Sequence, residues 1–115
     1  MNYKNILFMC LTYFISIPMI AIAQWKEHNG GVYGGTVNSI VTKDNIVIVA
    51  TNFGGMFKST NNGAEWFPCN SGMGSLNMKC LAKKDNYLYA GTSNQGIFAS
   101  SDDGASWYAV NNGIY

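Results

Sequence analysis

The feature that most constrains this chain is an internal repeat with a period of 41 residues. Trp25, Trp66 and Trp107 share this spacing, and sliding residues 25–74 onto residues 66–115 without a gap gives 15 identities in 50 positions. Repeats of about this length are typical of propeller blades and solenoid units, in which each unit buries its apolar face against the next. The sequence therefore predicts two stacked copies of one structural unit.

Each copy divides into four short segments with the chemistry of β-strands. Two runs rich in β-branched or aromatic residues flank an Asp-Asn pair, which favours a tight hairpin turn. A glycine then breaks the chain, a third run follows, and a polar turn leads to a fourth. The predicted strands are residues 37–43, 46–51, 56–59 and 65–69 in the first copy and 78–83, 87–92, 97–101 and 106–110 in the second.

Four antiparallel strands in a 41-residue unit are the proportions of a propeller blade, whereas the coils of a β-solenoid are usually shorter. Residues 46–50 and 87–91 show little polar alternation, as expected of strands sandwiched between neighbouring sheets. The sequence thus predicts an all-β chain, a β-propeller fragment with blades at residues 37–77 and 78–115. Trp25 is in register with the fourth strands, so residues 24–36 are interpreted as the last strand of a preceding blade and its connection.

The N-terminus predicts export. Lys4 precedes an apolar run at residues 6–22, and Ala21-Ile22-Ala23 supplies the small residues that a signal peptidase requires. We expect a signal peptide at residues 1–23, cleavage after Ala23 and a secreted or periplasmic partial propeller at residues 24–115. An uncleaved membrane anchor is the alternative, although polar residues and a proline interrupt the run.

Charge and residue inventory exclude several functions. The chain has seven lysines, six acids, one histidine and no arginine, so it lacks the basic stripe of a nucleic-acid-binding protein. The single His28 supports neither a zinc site nor a Ser-His-Asp set, and no cofactor is expected. An oxidising compartment would permit a disulfide between Cys69 and Cys80. The repeat argues against it, because their counterparts are Val110 and Ser39, and the question stays open.

An eight-residue turn motif follows the third predicted strand of each copy. Its Asp or Asn side chain can accept backbone N–H bonds within the turn, its glycine supplies a positive φ, and its tryptophan folds back over the turn. The serine can hydrogen-bond across the neck. We expect a structural role for these residues: Ser59, Asn61, Gly63 and Trp66 in the first copy, and Ser100, Asp102, Gly104 and Trp107 in the second.

The motif Ser-x-Asp-x-Gly-x-x-Trp resembles the Asp-box, or bacterial neuraminidase repeat. It is similar to the turns of sialidases, sortilin-like receptors, xyloglucan-degrading glycosidases and photosystem II assembly factor-like propellers. The second copy matches in full, whereas the first has Asn61 in place of Asp. The resemblance covers residues 25–115 and implies the fold, but it implies no one activity, because these families include enzymes, receptors and assembly factors.

The acids of the chain fit structural positions better than catalytic ones. The resemblance implies that a sialidase would need a cluster of three arginines, and this chain has none. A glycosidase needs two facing carboxylates, but Asp44 and Asp85 are equivalent turn residues, and Asp102 and Asp103 lie in the turn motif. Glu27 and Glu65 flank tryptophans. No catalytic residue or metal ligand is therefore predicted.

The loops that vary between the copies are the candidate ligand face, because binding usually resides on loops held by a rigid scaffold. The amide and aromatic groups there suit a glycan or a peptide: Tyr33, Asn52, Phe53, Asn94 and Gln95. We expect a non-enzymatic binding or scaffold module for a protein or a surface glycan. The alternative is the N-terminal part of a propeller glycoside hydrolase with its catalytic residues elsewhere, and a third possibility is a structural element without a ligand. Further blades or self-association would be needed to close the ring.

Overall fold

The computed structural model describes residues 30–114, which form two four-stranded antiparallel sheets. In both sheets the strands follow one another in chain order, so each sheet is a meander. The first contains β1 (Val37–Lys43), β2 (Ile46–Thr51), β3 (Met56–Ser59) and β4 (Phe67–Pro68), and the second contains β5 (Met78–Lys84), β6 (Tyr87–Thr92), β7 (Ile97–Ser100) and β8 (Tyr108–Ala109). This architecture confirms the predicted fold class. The proposed N-terminal strand and signal peptide lie outside the described residues.

The two sheets repeat each other down to their irregularities. A register shift between Val37 and Ser39 in β1 recurs between Met78 and Cys80 in β5. The tight turns after these strands place Asp44 and Asp85 at positive φ values of 51° and 53°. Asp tolerates this backbone region better than most side chains, so the local sequence fixes both hairpins.

The outermost strands are shorter than the sequence predicts. Residues 65–69 and 106–110 were expected to form strands, but only two residues of each do so. The N–H groups of Trp66 and Trp107 donate instead to the carbonyl oxygens of Gly30 and Ser71, 3.0 and 2.9 Å away. Loop residues therefore take the donors that a longer strand would use.

The main apolar core lies between the two sheets. Side chains alternate between the faces of a strand, and every second residue of β2 points toward the second sheet. The buried cluster consists of Ile48, Ala50, Met56 and Cys69 from the first sheet and Met78, Leu88, Ala90, Phe98 and Trp107 from the second. The two sheets are therefore packed face to face.

Polar contacts at the edges of this interface fix how the sheets are placed. The side-chain amide of Asn38 donates to the carbonyl oxygen of Met78 at 2.7 Å, and the N–H of Leu81 donates to Oγ of Ser39 at 3.0 Å. Within residues 30–114 there is no helix of the length and hydropathy that a membrane crossing requires.

Candidate functional site

The antiparallel strands give the sheet pair two different ends. We call the end with residues 30–36, 52–55, 70–77 and 93–96 the loop end, and the end with residues 44–45, 60–66, 85–86 and 101–107 the turn end. The loop end connects strands through longer, irregular segments. The turn end carries the two hairpins and the two copies of the turn motif.

The turn motif forms the same hydrogen bonds in both copies. Oγ of Ser59 accepts from the N–H of Gly63 at 2.8 Å and donates to Oδ1 of Asn61 at 3.0 Å. The N–H of Glu65 donates to the same Oδ1 at 2.9 Å. One amide oxygen thus holds both ends of the turn together.

In the second copy, the carboxylate of Asp102 takes the place of that amide. Asp102 Oδ1 accepts from Oγ of Ser100 at 2.7 Å and from the N–H of Ser106 at 2.9 Å, and the hydroxyl of Ser106 donates to Oδ2. The hydrogen bond from the Ser106 side chain is the largest of several that lower the pKa of Asp102 to about 2. The N–H of Gly104 donates to Oγ of Ser100 at 2.9 Å, as in the first copy.

The two tryptophans of the motif differ in burial. Trp107 is only 4% exposed, and its Nε1 donates to the carbonyl oxygen of Cys69 at 2.9 Å, across the interface between the sheets. Trp66 is half-buried. Asp103, next to the motif aspartate, forms an ion pair with Lys43 of the first sheet. The second copy of the motif therefore also joins the two sheets.

At the loop end, backbone hydrogen bonds fix the candidate residues of the first sheet. The N–H groups of Asn52 and Phe53 donate to the carbonyl oxygens of Thr36 and Gly34, 3.0 and 2.9 Å away. Gly34 and Gly54 approach so closely that neither has room for a Cβ. This packing holds the β2–β3 loop against the segment that precedes β1.

Two aromatic side chains at this end are open to solvent. Phe53 is 68% exposed and Tyr33 is 64% exposed. The Tyr33 ring meets Phe57 edge to face, with ring centroids 4.8 Å apart, so its exposed side has a fixed orientation. The structure thus brings Tyr33, Asn52 and Phe53 onto adjoining loops.

Asn94 and Gln95 lie on the corresponding loop of the second sheet. The N–H of Gln95 donates to Oγ1 of Thr92 at 3.0 Å, and the Gln95 side chain lies against Gly74. The N–H of Gly55 donates to the carbonyl oxygen of Leu76 at 2.9 Å. The β4–β5 connection, residues 70–77, therefore touches both candidate loops and links them into one surface.

Sequence reasoning missed two residues of this surface. Leu76 is 48% exposed beside the first loop, and Lys79 Nζ lies 3.5 Å from Oδ1 of Asn52. Leu76 and Met73 are the two large apolar residues in a loop that is otherwise small and polar, which could have drawn attention to both. Lys79 gives no such signal, because its reach to Asn52 depends on how the two sheets are placed.

The two ends of the sheet pair differ in their charged residues. The loops of the loop end contain no charged residue, and every acid among residues 30–114 lies at the turn end: Asp44, Glu65, Asp85, Asp102 and Asp103. No cluster of histidine, cysteine or acidic side chains suited to a metal ion occurs in this part of the chain. The loops of this end thus offer amides, glycines and aromatic rings, and the charged group beside them is Lys79, next to Asn52.

The cysteines are not bridged in the structure. Cys69 is buried between the sheets, whereas Cys80 is exposed on β5. Burial raises the pKa of the Cys69 thiol to about 11, against a smaller opposing effect of Lys58. A thiol in this state is a poor nucleophile, so Cys69 is a packing residue.

Comparisons with known proteins support the fold more than any activity. No protein-family model matches the sequence, and no curated protein matches it either. The crystal structure of an ancestral GH74 enzyme is similar, with a TM-score of 0.60 and 28% sequence identity over 80% of this chain and 12% of that one. The computationally designed Ika4 protein is 12% identical over 73% of this chain and 52% of that one, with a TM-score of 0.55.

A GH74 xyloglucanase from Xanthomonas campestris also aligns, at a TM-score of 0.44 and 17% identity over 62% of this chain and 14% of that one. The ancestral GH74 enzyme is a β-propeller protein, so the two sheets correspond to propeller blades. This chain spans about an eighth of the length of the ancestral enzyme.

Proposed function

We propose that this chain supplies two blades of a secreted β-propeller whose loop end binds an uncharged ligand, with a neutral glycan as the ligand class. The observation that carries this proposal is the charge separation between the ends. Exposed Tyr33 and Phe53 offer flat apolar faces for stacking, and Asn52, Asn94 and Gln95 offer amide donors and acceptors. An anionic ligand would find no basic residue in the loops themselves and would meet Lys79 alone beside Asn52 among the residues described at this end.

The position of the acids favours binding over hydrolysis within residues 30–114. Two facing carboxylates are needed to hydrolyse a glycoside, and none lies at the loop end. The Asp102 carboxylate is engaged by Ser100 and Ser106, which suits a structural role for the turn motif. A structural role agrees with the resemblance to the Asp-box, and we propose that both copies of the turn motif are Asp-boxes.

Calorimetric titration with neutral oligosaccharides tests this function. We would titrate gluco-, xylo- and manno-oligosaccharides into the wild-type chain and the Phe53→Ala variant. Loss of a stacking face should weaken binding about tenfold or more, which corresponds to ~1.4 kcal/mol. Phe53 is mostly exposed, so its replacement should leave stability nearly unchanged.

Phe67→Ala is the matched control. Phe67 is 62% exposed, close to the 68% of Phe53, but it lies on the outer strand β4. It should leave affinity unchanged. Equal losses in the two variants, or no binding of any neutral glycan by the wild-type chain, would refute the proposed ligand face.

A second candidate is a part of a propeller glycoside hydrolase. The 28% identity with the ancestral GH74 enzyme over most of this chain favours it. In that case the loop end would contribute substrate-binding surface, and the catalytic carboxylates would lie outside residues 30–114. Release of reducing sugar from a bound oligosaccharide by the protein purified from its native source would distinguish hydrolysis from binding alone.

Export is the remaining part of the proposal. The apolar run at residues 6–22 and the small residues before Gln24 support a cleaved signal peptide. The intact mass of the protein from its native source tests this directly. A product that begins at Gln24 is expected, and retention of Met1 would contradict secretion by this route.

A further inference from the structure

The two blades pack on each other through one side of each sheet, and each sheet has a second side that no other described strand covers. Alternation along the strands places Val37, Ile40 and Val47 on the second side of the first sheet. It places Ala82, Tyr87 and Tyr89 on the second side of the second sheet. We call these the first open side and the second open side.

The first open side repeats the surface that the second sheet buries in the core. Val37 is 49% exposed, but its counterpart one repeat later, Met78, is fully buried. Ile40 is 62% exposed, whereas its counterpart Leu81 packs against the core cluster. The exposed residues are thus apolar at the positions where the internal interface needs apolar groups.

The second open side repeats the surface that the first sheet buries. Tyr87 is 41% exposed, and its counterpart Ile46 packs against the core. Ile114, beside the end of the second sheet, is 53% exposed, whereas its counterpart Met73 also packs against the core. The two open sides therefore carry the two halves of an interface that the chain already forms once.

Polar groups at the edges are compatible with a second such contact. In the internal interface, Lys43 Nζ donates to the carbonyl oxygen of Asn86 at 3.2 Å and pairs with Asp103. In a contact between two copies, Lys84 of one copy would take the place of Lys43, and Asn45 and Asn62 of the other would take the places of Asn86 and Asp103. The lysine would meet a backbone oxygen and a neutral amide, and no like charges would face each other.

We propose that the second open side binds the first open side of another copy of this chain, head to tail, with the geometry of the internal interface. Such a contact is heterologous and closes into a ring when the rotation permits. Propellers close with four to eight blades, so a ring of two-blade copies would contain roughly two to four chains. Burying both open sides would remove the exposed side chains of Val37, Ile40 and Tyr87 from water.

The inner strands carry this contact. Ser71 and Gly72 connect the two sheets of one chain, and their counterparts in the repeat are Gly30 and Gly31 near one end and Asn112 and Gly113 near the other. In a contact between two copies, both end segments would be needed at the same place. Only one of them can lie there. The contact is therefore built mainly from β1 and β2 of one copy and β5 and β6 of the other.

Sedimentation velocity over a concentration series tests the proposal with two variants of the full chain. The intact mass is read after purification, because residues 6–22 would themselves cause aggregation if retained. The wild-type chain should associate, while Ile40→Glu and Tyr87→Glu should each prevent assembly by placing a carboxylate on one open side. Both side chains are exposed, so each variant should keep its fold. Phe67→Glu, also at an exposed apolar residue but on neither open side, should associate like the wild type.

Mixing the two variants gives the decisive result. Ile40→Glu retains an intact second open side, and Tyr87→Glu retains an intact first one. A head-to-tail contact therefore predicts a dimer of one variant with the other that neither forms alone. A mixture that stays monomeric, while the wild type assembles, would overturn the head-to-tail arrangement.

The cysteines provide a measurement that needs no variant. Cys80 occupies the repeat position of Ser39, whose Oγ accepts the N–H of Leu81 in the internal interface. Cys80 is exposed in the single chain, so its alkylation, followed by site-resolved mass spectrometry, should slow several-fold as concentration rises. Cys69, buried between the blades, should stay unreactive and so reports that the fold is intact. A wild-type chain that remains a monomer at every concentration, with Cys80 equally reactive throughout, would overturn the proposal.

Discussion

Replacing Trp107 with alanine should be among the most destabilising single changes in the chain. The indole is 4% exposed in the core between the blades, and its Nε1 donates to the carbonyl oxygen of Cys69. Its ring also lies beside Gly104, with Cζ2 placed 3.5 Å from where a Cβ on that glycine would be. Removing the indole would therefore leave both a cavity and an unpaired carbonyl.

The magnitude follows from the buried area. A buried tryptophan removes about 200 Å² from water, which at ~25 cal/mol/Å² is worth about 5 kcal/mol. A compact unfolded chain lowers this figure by roughly 10–40%, and the lost hydrogen bond adds about 1 kcal/mol. These terms sum to about 4–5.5 kcal/mol, and the methyl group of the alanine keeps part of that burial, so we expect a loss of about 3–5 kcal/mol in the free energy of unfolding, the range measured for large aromatic truncations.

Urea denaturation followed by far-UV circular dichroism measures this loss, at a low protein concentration so that association does not contribute. The repeat supplies the control: Trp66→Ala changes the same residue type in the same turn, but the Trp66 side chain is only half-buried. It should cost less than Trp107→Ala, because a smaller share of its area is buried. Equal losses in the two variants, or a loss below about 1.5 kcal/mol for Trp107→Ala, would refute the reasoning.

Three further predictions test the turn motif and the thiols. Asp102→Asn should leave the urea midpoint near neutral pH almost unchanged, because an amide forms the same turn in the first copy. The pKa of Asp102 is lowered to about 2, so its stabilising effect is present above the ordinary pKa and lost as the pH falls from about 4 to 2. Acid titration of unfolding should show that loss in the wild type and not in Asp102→Asn. Gly104→Ala should lower the free energy of unfolding by about 1–2 kcal/mol, because φ is 79° and the added Cβ would press on the other blade. Gly113→Ala is the control, since Gly113 has a φ of 86° but no atom close to the added Cβ. Thermal denaturation should show a smaller loss for Gly113→Ala. In dilute protein, a thiol reagent near pH 8 should label Cys80 quickly and Cys69 only after unfolding, because burial raises the pKa of Cys69 to about 11; rapid labelling of Cys69 in the folded chain would contradict its placement.

The strands and hairpins could be read from the sequence because their causes are local. Asp44 and Asp85 adopt the positive φ that their turns require, and Gly63 and Gly104 do so in the turn motif, at 85° and 79°. The β-branched and apolar runs between these turns then have few alternatives to a meander. The 41-residue period added the expectation that both copies would fold alike.

The candidate surface was predictable only in outline. The sequence placed Phe53 and Asn52 in a variable loop, which the structure confirms as a loop beside Gly34 and Thr36. It gave no sign that residues 70–77 would touch both candidate loops, or that Lys79 would reach Asn52. Those contacts depend on the rotation between the blades, which no short stretch of sequence encodes.

The sequence by itself determined the repeat, the strands and the turns, because each follows from the backbone preferences and side-chain bonds of neighbouring residues. Only the tertiary structure decided which equivalent residues are buried. Ile40 and Leu81 occupy the same place in the two copies, yet Ile40 is 62% exposed and Leu81 packs against the core. Burial depends on the surface that faces a residue, and the first blade faces the second on one side only.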